Sequence, residues 1–315
     1  MTENTRVNSE RNWAILKEKL LHNNPPVSGS RQTVIDGFVL HCFDSNNEPK
    51  PEFYQPVIIV VVQGKKWVRI GDEEHHFGEN LCFVAGVDMP AMSCVMEASR
   101  DKPYLSMSLS LDQSLLADLA AQVPPTSKPG PTIAPGAIVQ HIEPDLLDAF
   151  LRLLELTEKP EQAPVMGELL LREIHYRLLT GPFGPALRSL STFGSQGHQI
   201  SQSISWLKNN YKEPLSVEQL AGRVNMASST FHKHFKEVTT LSPLQYQKRL
   251  RLSEARRLLL TNECDVTQAA FAVGYESATQ FIREYKRLFG DPPRRDVTRM
   301  KARTSGGTGM AALAG

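Results

Sequence analysis

The sequence has few of the features that mark secreted, disulfide-bonded or membrane-spanning proteins. It contains four cysteines in 315 residues, and no two of them form a Cys-x-x-Cys pair. Reduced thiols in or near the core are therefore expected, with a redox switch or a metal site as the alternative. No apolar run approaches the roughly 18 residues of a membrane helix, and the N-terminal "MTENTRVNSERNW" has no apolar signal segment. We expect a cytoplasmic protein that makes no membrane contact.

Net charge is also small, at +1, but it is unevenly distributed. Residues 198–315 contain 18 basic and 10 acidic residues, whereas residues 1–197 contain 17 basic and 24 acidic residues. A chain of this length is typical of two domains, with three as the alternative. The basic C-terminal third indicates that only this part contacts a polyanion, although a solvated basic face would have the same composition.

Short motifs of common enzymes are absent as well. Neither Gly-x-Ser-x-Gly nor the phosphate-loop pattern Gly-x-x-x-x-Gly-Lys-[Ser/Thr] occurs. His75 and His76 are adjacent, so on a strand they would point to opposite faces and could not easily share one metal ion. We therefore expect no catalytic residues, no bound metal and no cofactor.

Residues 34–112 predict a small β-barrel or sandwich. Runs such as "FVLHCF", "PVIIVVV" and "YLSMSLSL" are separated by turn-forming stretches, with no helical pattern between them. Residues 11–22 and residues of about 143–181 instead show helical periodicity. The last segment carries one apolar stripe, which suits either the domain core or a dimer helix. The stripe consists of Leu171, Ile174, Leu178 and Leu179.

The remaining segments of the chain predict connections between elements and a tail. The proline-rich stretch 122–136 is expected to be a loop, and residues 301–315 a disordered tail. Residues 191–199 are expected to link a first domain, residues 1–190, to a second domain, residues 200–300.

The C-terminal third contains one motif twice, at a distance of 49 residues. Each copy has a small alanine, then a residue that tolerates positive φ, then two aromatic residues one helical turn apart. The first copy has Ala221, Asn225, Phe231 and Phe235, and the second has Ala270, Gly274, Phe281 and Tyr285. The alanine allows close helix crossing, and the aromatic residues attach the second helix to the core. This pattern predicts two helix-turn-helix motifs, about 216–237 and 265–287.

The outer face of each second helix carries side chains of the types that contact DNA. Arg and Lys favour guanine, Gln favours adenine, and Ser and Thr are permissive, although any solvated helix face carries such residues. The predicted DNA-binding residues are Ser229, Thr230, His232, Lys233, Lys236, Ser277, Thr279, Gln280, Arg283, Lys286 and Arg287. Phosphate contacts are expected from Lys236, Lys286 and Arg287, together with Arg294 and Arg295.

A helical stripe between the two motifs predicts a connecting helix over residues 243–260. Such a helix would be roughly 27 Å long at about 1.5 Å per residue. This length is near the ~34 Å between successive major-groove faces on one side of a duplex. One chain can therefore place two reading helices in adjacent grooves.

Both halves of the chain resemble a known family. The segment 201–297, with "AAFAVGYES", "YKRLFG" and "PP", is similar to the DNA-binding domain of AraC/XylS-type bacterial transcription regulators. Residues 34–181, with "VVVQGKKWVRIGD", "VDMP" and "LLREIHYRLLTG", resemble the cupin-like N-terminal domain of one AraC subgroup. The resemblance implies a two-domain α+β protein: a cupin-like β-barrel with flanking helices, then an all-α domain with two helix-turn-helix motifs.

The resemblance also implies a function. The implied protein is a nucleoid-associated transcription activator that binds double-stranded promoter DNA and RNA polymerase. Its N-terminal domain would sense a small-molecule effector, form a homodimer, or both. The candidate effector-binding residues are His41, Phe43, Tyr54, Trp67 and His76, with core packing or a surface position as the alternative for each. A metal-dependent cupin enzyme fused to a DNA-binding module and a ligand-independent regulator remain the alternatives.

Five positions depart from the pattern common in the family. Ala227-Ser228 stands where Ser-Pro is frequent, which predicts that Ser228 becomes the N-cap of the first reading helix. Ala278 replaces a frequent proline, Thr240 a frequent glycine, and Ile282 a residue that is usually polar.

Overall fold

The computed structural model describes residues 3–23, 29–124 and 133–305. Most of the proline-rich stretch and of the predicted tail, residues 125–132 and 306–315, lies outside these ranges. The described chain forms an N-terminal domain of strands with flanking helices and a C-terminal domain of helices, which confirms the predicted two-domain α+β fold. Within these ranges, no helix is both long and apolar enough to cross a membrane.

Ten strands of the described chain form two antiparallel sheets. They are β1 (Gly29–Gln32), β2 (Phe38–Phe43), β3 (Lys50–Tyr54), β4 (Val57–Gln63), β5 (Lys65–Ile70), β6 (Glu73–Gly78), β7 (Leu81–Ala85), β8 (Met89–Glu97), β9 (Tyr104–Ser110) and β10 (Ala137–His141). The first sheet has the order β1-β2-β9-β4-β7-β10, and the second has the order β3-β8-β5-β6. No ladder between described strands joins the two sheets, so the predicted barrel consists of two facing sheets that do not close.

Strand β4 explains why one run of the sequence is apolar without alternation. Ile58 and Val60 pack against the helices on the outer side of the six-stranded sheet. Ile59 and Val61 face the opposite way, into the space between the sheets. A strand that is buried on both faces needs apolar residues at every position, which is what "VIIVVV" supplies.

Five helices of the described chain belong to the N-terminal domain. They are α1 (Glu3–Asn23), α2 (Gln113–Gln122), α3 (Pro144–Leu156), α4 (Ala163–Thr180) and α5 (Gly184–Ser191). Their apolar faces cover the outer side of the six-stranded sheet in one core. Ile174, Leu178 and Leu179 on α4 are almost completely buried there. The predicted stripe on this helix therefore belongs to the domain core, not to a dimer surface.

Seven helices form the C-terminal domain of the described chain. They are α6 (Gln196–Asn209), α7 (Val217–Arg223), α8 (Ser228–Thr239), α9 (Pro243–Leu260), α10 (Val266–Ala272), α11 (Ala278–Phe289) and α12 (Pro293–Ser305). Helix α9 has the bounds that its sequence pattern predicts. Helices α5 and α6 take up much of the stretch predicted as a linker, so that only residues 192–195 separate them.

The two domains share one hydrophobic core. Val61 and Phe83 of the sheets belong to the same buried cluster as Phe235 of α8 and Tyr246 of α9. Tyr246 is fully buried, and its ring packs edge-on against Phe235 and against Phe53 of β3. The first helix-turn-helix motif is thus packed directly on the N-terminal domain.

Polar contacts reinforce this junction around Asp88, in the turn between β7 and β8. Its backbone carbonyl accepts a hydrogen bond of 2.8 Å from the Tyr246 hydroxyl, and its carboxylate lies 2.8 Å from the Lys208 Nζ atom of α6. Gly136, just before β10, donates its N–H to the Val238 carbonyl of α8 at 2.9 Å. One aspartate therefore holds two helices of the C-terminal domain.

Candidate nucleic-acid interface

The two helix-turn-helix motifs are built alike in their backbones. Asn225 and Gly274 have φ angles of 55° and 86°, so both turns use the positive φ that the sequence predicts. The residue after each turn position closes the motif: Met226 N–H donates to Ala221, and Tyr275 N–H donates to Ala270, both at 3.0 Å. The internal duplication is therefore a duplication of structure.

The inner faces of the reading helices α8 and α11 are attached to the core by aromatic residues. Phe231 and Phe235 on α8, and Phe281 and Tyr285 on α11, have no exposed surface. Within each pair the ring centres lie 5.6 and 5.5 Å apart. Because one face of each helix is buried in this way, its opposite face is turned outward.

The outward faces carry the residues predicted to bind DNA. Nine of the eleven are exposed: Ser229, His232, Lys233, Lys236, Thr279, Gln280, Arg283, Lys286 and Arg287. Thr230 and Ser277 are half-buried. Ser277 is the N-cap of α11, and its hydroxyl accepts a hydrogen bond of 3.3 Å from the Gln280 N–H.

Most basic groups on these faces form no ion pair with another described residue. In the part of the chain that the structure describes, Arg283, Lys286 and Arg287 of α11 form no ion pair, nor does Lys236 of α8. Lys233 lies 3.8 Å from Glu237, but this pair is exposed and therefore weak. Unpaired cations on an exposed helix face are available for phosphates and guanine edges.

Unlike the basic side chains of α11, the predicted DNA-binding residue Gln280 has a partner within the protein, because its Nε2 donates to Glu284 at 3.2 Å. Glu284 also accepts hydrogen bonds from Lys248 at 2.9 Å and from the Tyr275 hydroxyl at 2.8 Å. Burial by itself would raise the pKa of Glu284, but these hydrogen bonds and the Lys248 charge hold it below its usual value. The carboxylate stays ionised and couples α11 to α9.

A buried ion pair that the motif analysis did not identify supports the second motif. Arg256 of α9 donates two hydrogen bonds, of 2.8 and 2.9 Å, to the fully buried carboxylate of Asp296 on α12. The Tyr285 hydroxyl donates to the same carboxylate at 2.8 Å. Burial and this carboxylate raise the pKa of Tyr285. The network fixes α12 against both α9 and α11.

The first reading helix begins differently from the prediction. Ala227, with φ −67° and ψ 143°, is the N-cap of α8, and it has no side-chain cap. The prediction of Ser228 as the N-cap is therefore wrong, because the backbone becomes helical one residue earlier. Helix α8 is followed by its C-cap Thr240, which lies in the left-handed region with φ 61°. A frequent glycine at 240 in the family fits this conformation.

Three of the five candidate effector residues lie between the two sheets. Phe43 and Tyr54 pack on the core there, and His41 bonds with Ser30 at 2.7 Å and Ser108 at 2.8 Å. The other two candidates lie outside: Trp67 donates to the exposed Glu74 at 3.2 Å, and the His76 side chain is 56% exposed.

The space between the sheets also contains charged and polar groups that are not among the predicted effector-binding residues. Lys66 lies 3.8 Å from Glu52 and 5.4 Å from the centre of the Tyr54 ring. The hydroxyls of Tyr54 and Tyr104 are buried in the same space, the first beside Glu52 and Ser93 and the second beside Ser106. Glu52 and Tyr54 are two residues apart on β3, so they lie on the same face of the strand. This spacing is the signal in the sequence that could have placed both residues in one site.

Comparison with known proteins agrees with this architecture. A family model described as AraC-type transcriptional regulator N-terminus matches residues 34–186, and one described as helix-turn-helix domain matches residues 220–299. The chain is 33% identical over 101 residues to the HTH-type transcriptional activator RhaS of Pectobacterium carotovorum. This match covers 32% of the chain and 36% of RhaS.

One further relative and one solved structure extend the comparison. The chain is 28% identical over 151 residues to the HTH-type transcriptional regulator ArgR of Pseudomonas aeruginosa, which is 48% of the chain and 45% of ArgR. It therefore spans between about a third and a half of the curated relatives it matches. The structure of unsaturated fatty acid-bound ToxT from Vibrio cholerae has a TM-score of 0.52 at 11% identity, over 85% of this chain and 96% of that one. That likeness shows the same fold.

The duplicated motif, the facing sheets and the family models all lead to the same assignment. The two models together match most of the chain, in the order in which the structure places its two domains. The chain belongs to the AraC/XylS family of transcription regulators.

Proposed function

We propose that this protein is a sequence-specific regulator of transcription that reads two adjacent major-groove segments of one promoter. The observation that carries the proposal is the pair of reading helices, each with a buried aromatic inner face and an exposed basic and polar outer face. The connecting helix α9 spans 18 residues, roughly 27 Å at about 1.5 Å per residue. That length suits helices one groove repeat apart.

The outward residues divide into two roles in this proposal. Lys236, Lys286 and Arg287, with Arg294 and Arg295, contact phosphates and set affinity and its salt dependence. Arg283 and the polar residues of both helices contact base edges and set sequence preference. Gln280 must give up its bond to Glu284 before it can pair with an adenine.

Replacement of Arg283 separates the two roles. If Arg283 is bidentate to a guanine, Arg283→Ala should weaken binding to the selected operator by about 1–3 kcal/mol and leave binding to random DNA nearly unchanged. Operators are first recovered by selecting bound genomic fragments, and affinities are then measured by fluorescence anisotropy at physiological salt. Lys286→Ala is the matched control, since loss of a phosphate contact weakens both DNAs alike.

Two results would refute parts of this proposal. Equal loss on operator and random DNA would show that Arg283 only contacts phosphate. A full chain that shows no preference for any duplex over random competitor would refute sequence-specific binding itself.

We further propose that the N-terminal domain binds a small-molecule effector between its sheets, and that the protein activates transcription from the cytoplasm through RNA polymerase. His41, Phe43 and Tyr54 lie there beside Lys66 and the buried hydroxyls of Tyr54 and Tyr104. The relative RhaS is named an activator, and ToxT has been solved with a fatty acid. A thermal-shift screen of metabolites tests this, because a specific ligand stabilises the folded state. The absence of any shift would favour a ligand-independent regulator.

The proposal includes no enzymatic activity, metal or cofactor. In the described chain, no group of three or more His, Cys, Asp or Glu residues is arranged to hold a metal ion. Metal analysis of the purified protein tests the alternative of a metal-dependent cupin enzyme. Stoichiometric bound iron, zinc or manganese would support that alternative.

A further inference from the structure

The side-chain amide of Gln280, on the reading helix α11, is held in one orientation. Its Nε2 donates to the Glu284 carboxylate, one helical turn further along α11, at 3.2 Å. An ionised carboxylate only accepts hydrogen bonds, so the amide nitrogen and not the amide oxygen must face it. Within the described chain, the Oε1 atom of Gln280 makes no hydrogen bond. Gln280 therefore offers a free acceptor on the exposed face of α11.

Glu284 is in turn held by two residues outside α11. Lys248 of α9 donates to its carboxylate at 2.9 Å, and the hydroxyl of Tyr275, in the turn of the second motif, donates to it at 2.8 Å. The Glu284 side chain is only 16% exposed. Burial would raise its pKa, but these bonds and the Lys248 charge keep the pKa below its usual value. The group that faces Gln280 is therefore a fixed, ionised acceptor.

The orientation of this amide decides which bases it can meet in a major groove. Adenine and cytosine present an amino donor there, whereas guanine and thymine present a keto oxygen that accepts. A glutamine whose amide turns freely can meet either group, because it has both a donor and an acceptor. With Nε2 bound to Glu284, Oε1 can accept from an amino group but repels a keto oxygen. This single bond leaves the contact with Glu284 intact, unlike a bidentate pair with adenine.

We infer that Glu284 is a positioning residue that sets the base preference of Gln280. It fixes the amide so that Gln280 selects adenine or cytosine, and rejects guanine or thymine, at one position of the operator. The inference rests on the proposed sequence-specific binding and adds the chemical group that one side chain reads. Glu284 acts only through Gln280 and does not itself contact the base. Without Glu284 the amide can turn over, and Nε2 can then donate to a keto oxygen.

Operators that carry each of the four bases at one position test the inference. The position is the one at which Gln280→Ala loses the preference of the wild type. There the full-length wild type should bind adenine or cytosine operators at least about fivefold more tightly than guanine or thymine operators. Fluorescence anisotropy at physiological salt measures the dissociation constants.

Glu284→Ala should bring this ratio of affinities close to unity. Glu254→Ala is the matched control, since Glu254 of α9 bonds with Arg257 and lies outside the reading helices, and it should keep the ratio of the wild type. The ratio does not depend on the inactive fraction of a preparation, because that fraction changes both dissociation constants alike. Circular dichroism melting shows that each variant is folded.

A rescue variant separates amide orientation from a purely structural role of Glu284. The double variant Gln280→Glu, Glu284→Ala has a side chain at position 280 that can only accept and therefore needs no positioning. Its preference for bases with an amino group should return, although the bonds to Lys248 and Tyr275 are still missing. A structural role of Glu284 predicts no recovery.

Three results would overturn the inference. They are a Glu284→Ala variant that keeps the preference of the wild type, a double variant that does not recover it, and a wild type in which no operator position depends on Gln280. In each case the protein still selects an operator, so the proposed function stands. A wild type that selects no operator at all would refute the proposed sequence-specific binding, and this inference with it.

Discussion

Gly274 and Asn225 occupy the same place in the two turns, but their surroundings differ. A Cβ atom at Gly274 would lie 2.2 Å from the Lys212 carbonyl oxygen, in a backbone with φ 86°. Asn225 has φ 55°, a conformation that asparagine tolerates better than most residues. The turn requires positive φ in both motifs, and the approach of the α6–α7 connection adds the requirement for glycine in the second.

Gly274→Ala should therefore destabilise the protein, by about 1–3 kcal/mol from backbone strain alone. Gly222→Ala is the matched control, because Gly222 lies in α7 and a Cβ atom added there would meet nothing within 4 Å. Alanine there should stabilise the helix by about 0.5–1 kcal/mol. Urea unfolding measures both changes. Equal stability of Gly274→Ala and the wild type would contradict the close approach.

His41 is expected to make the fold sensitive to acid. Burial, together with the Lys66 charge, lowers the pKa of His41 from 6.5 to about 3. Between these pH values the unfolded chain binds a proton that the folded chain does not. The free energy of unfolding should therefore rise with pH from about 3 to 6.5 and level off above that.

Urea unfolding across this pH range measures the effect of His41. His41→Asn should flatten part of the rise, while the lowered pKa values of the half-buried His75 and the buried His175 continue to contribute to it. His76→Asn is the control, since its side chain is exposed. An unchanged slope in His41→Asn would show that His41 titrates alike in the folded and unfolded chains.

At the scale of elements, the two reading helices differ in how they begin. Helix α11 is capped by the Ser277 hydroxyl, whereas Ala227 at the start of α8 has the extended geometry of an N-cap but no side-chain oxygen. Ala227→Ser should stabilise the protein and Ser277→Ala should destabilise it, each by about 1 kcal/mol. Thermal or urea unfolding measures both. A neutral Ala227→Ser would show that solvent already satisfies the first N–H groups of α8.

Local signals in the sequence determine where helix α9 begins. Ser242 and Gln245 form a capping box, with bonds of 3.3 and 3.0 Å between each side chain and the other residue's N–H. Pro243 follows as the first helical residue, where its missing N–H costs nothing. These signals lie within a few residues of each other, so the start of α9 could be predicted without any tertiary contact.

Strand β10 and helix α5 show where local signals are insufficient. Residues 137–141 form a strand because they pair with β7 across a long connection. Helix α5 packs on α6 and on the core of the N-terminal domain. Both elements are short and depend on partners distant in sequence, which periodicity within a small window does not detect.

At the scale of the whole molecule, the Asp88 junction is expected to couple the unfolding of the two domains. Asp88→Ala removes the ion pair with Lys208, and Tyr246→Phe removes the hydrogen bond to the Asp88 carbonyl. The double variant should unfold in a broader transition or in two, since the domains then share fewer contacts. Calorimetry measures this, with Glu97→Ala as the control, because its pair with Lys65 is exposed. A single unchanged transition would show that the apolar contacts alone couple the domains.

The position of the outward residues on the reading helices could be predicted from the sequence more completely than that of the candidate effector residues. The outward residues of α8 and α11 follow from helical periodicity once the inner aromatic residues are identified, because a helix has only one face opposite to its core. The space between the sheets could not be assigned in the same way. Strand alternation separates two faces, but it does not say which face of β3 or β5 meets the other sheet, so Trp67 was selected while Lys66 was not.

The sequence by itself determined the duplicated motif, the connecting helix and the order of the two domains, because these depend on residues close together in the chain. Only the tertiary structure decided that the first motif shares a core with the N-terminal domain. It also decided that α4 keeps a second apolar face exposed. The contacts between the two domains join residues more than a hundred positions apart, such as Asp88 and Tyr246. Their geometry exists only once the chain has folded.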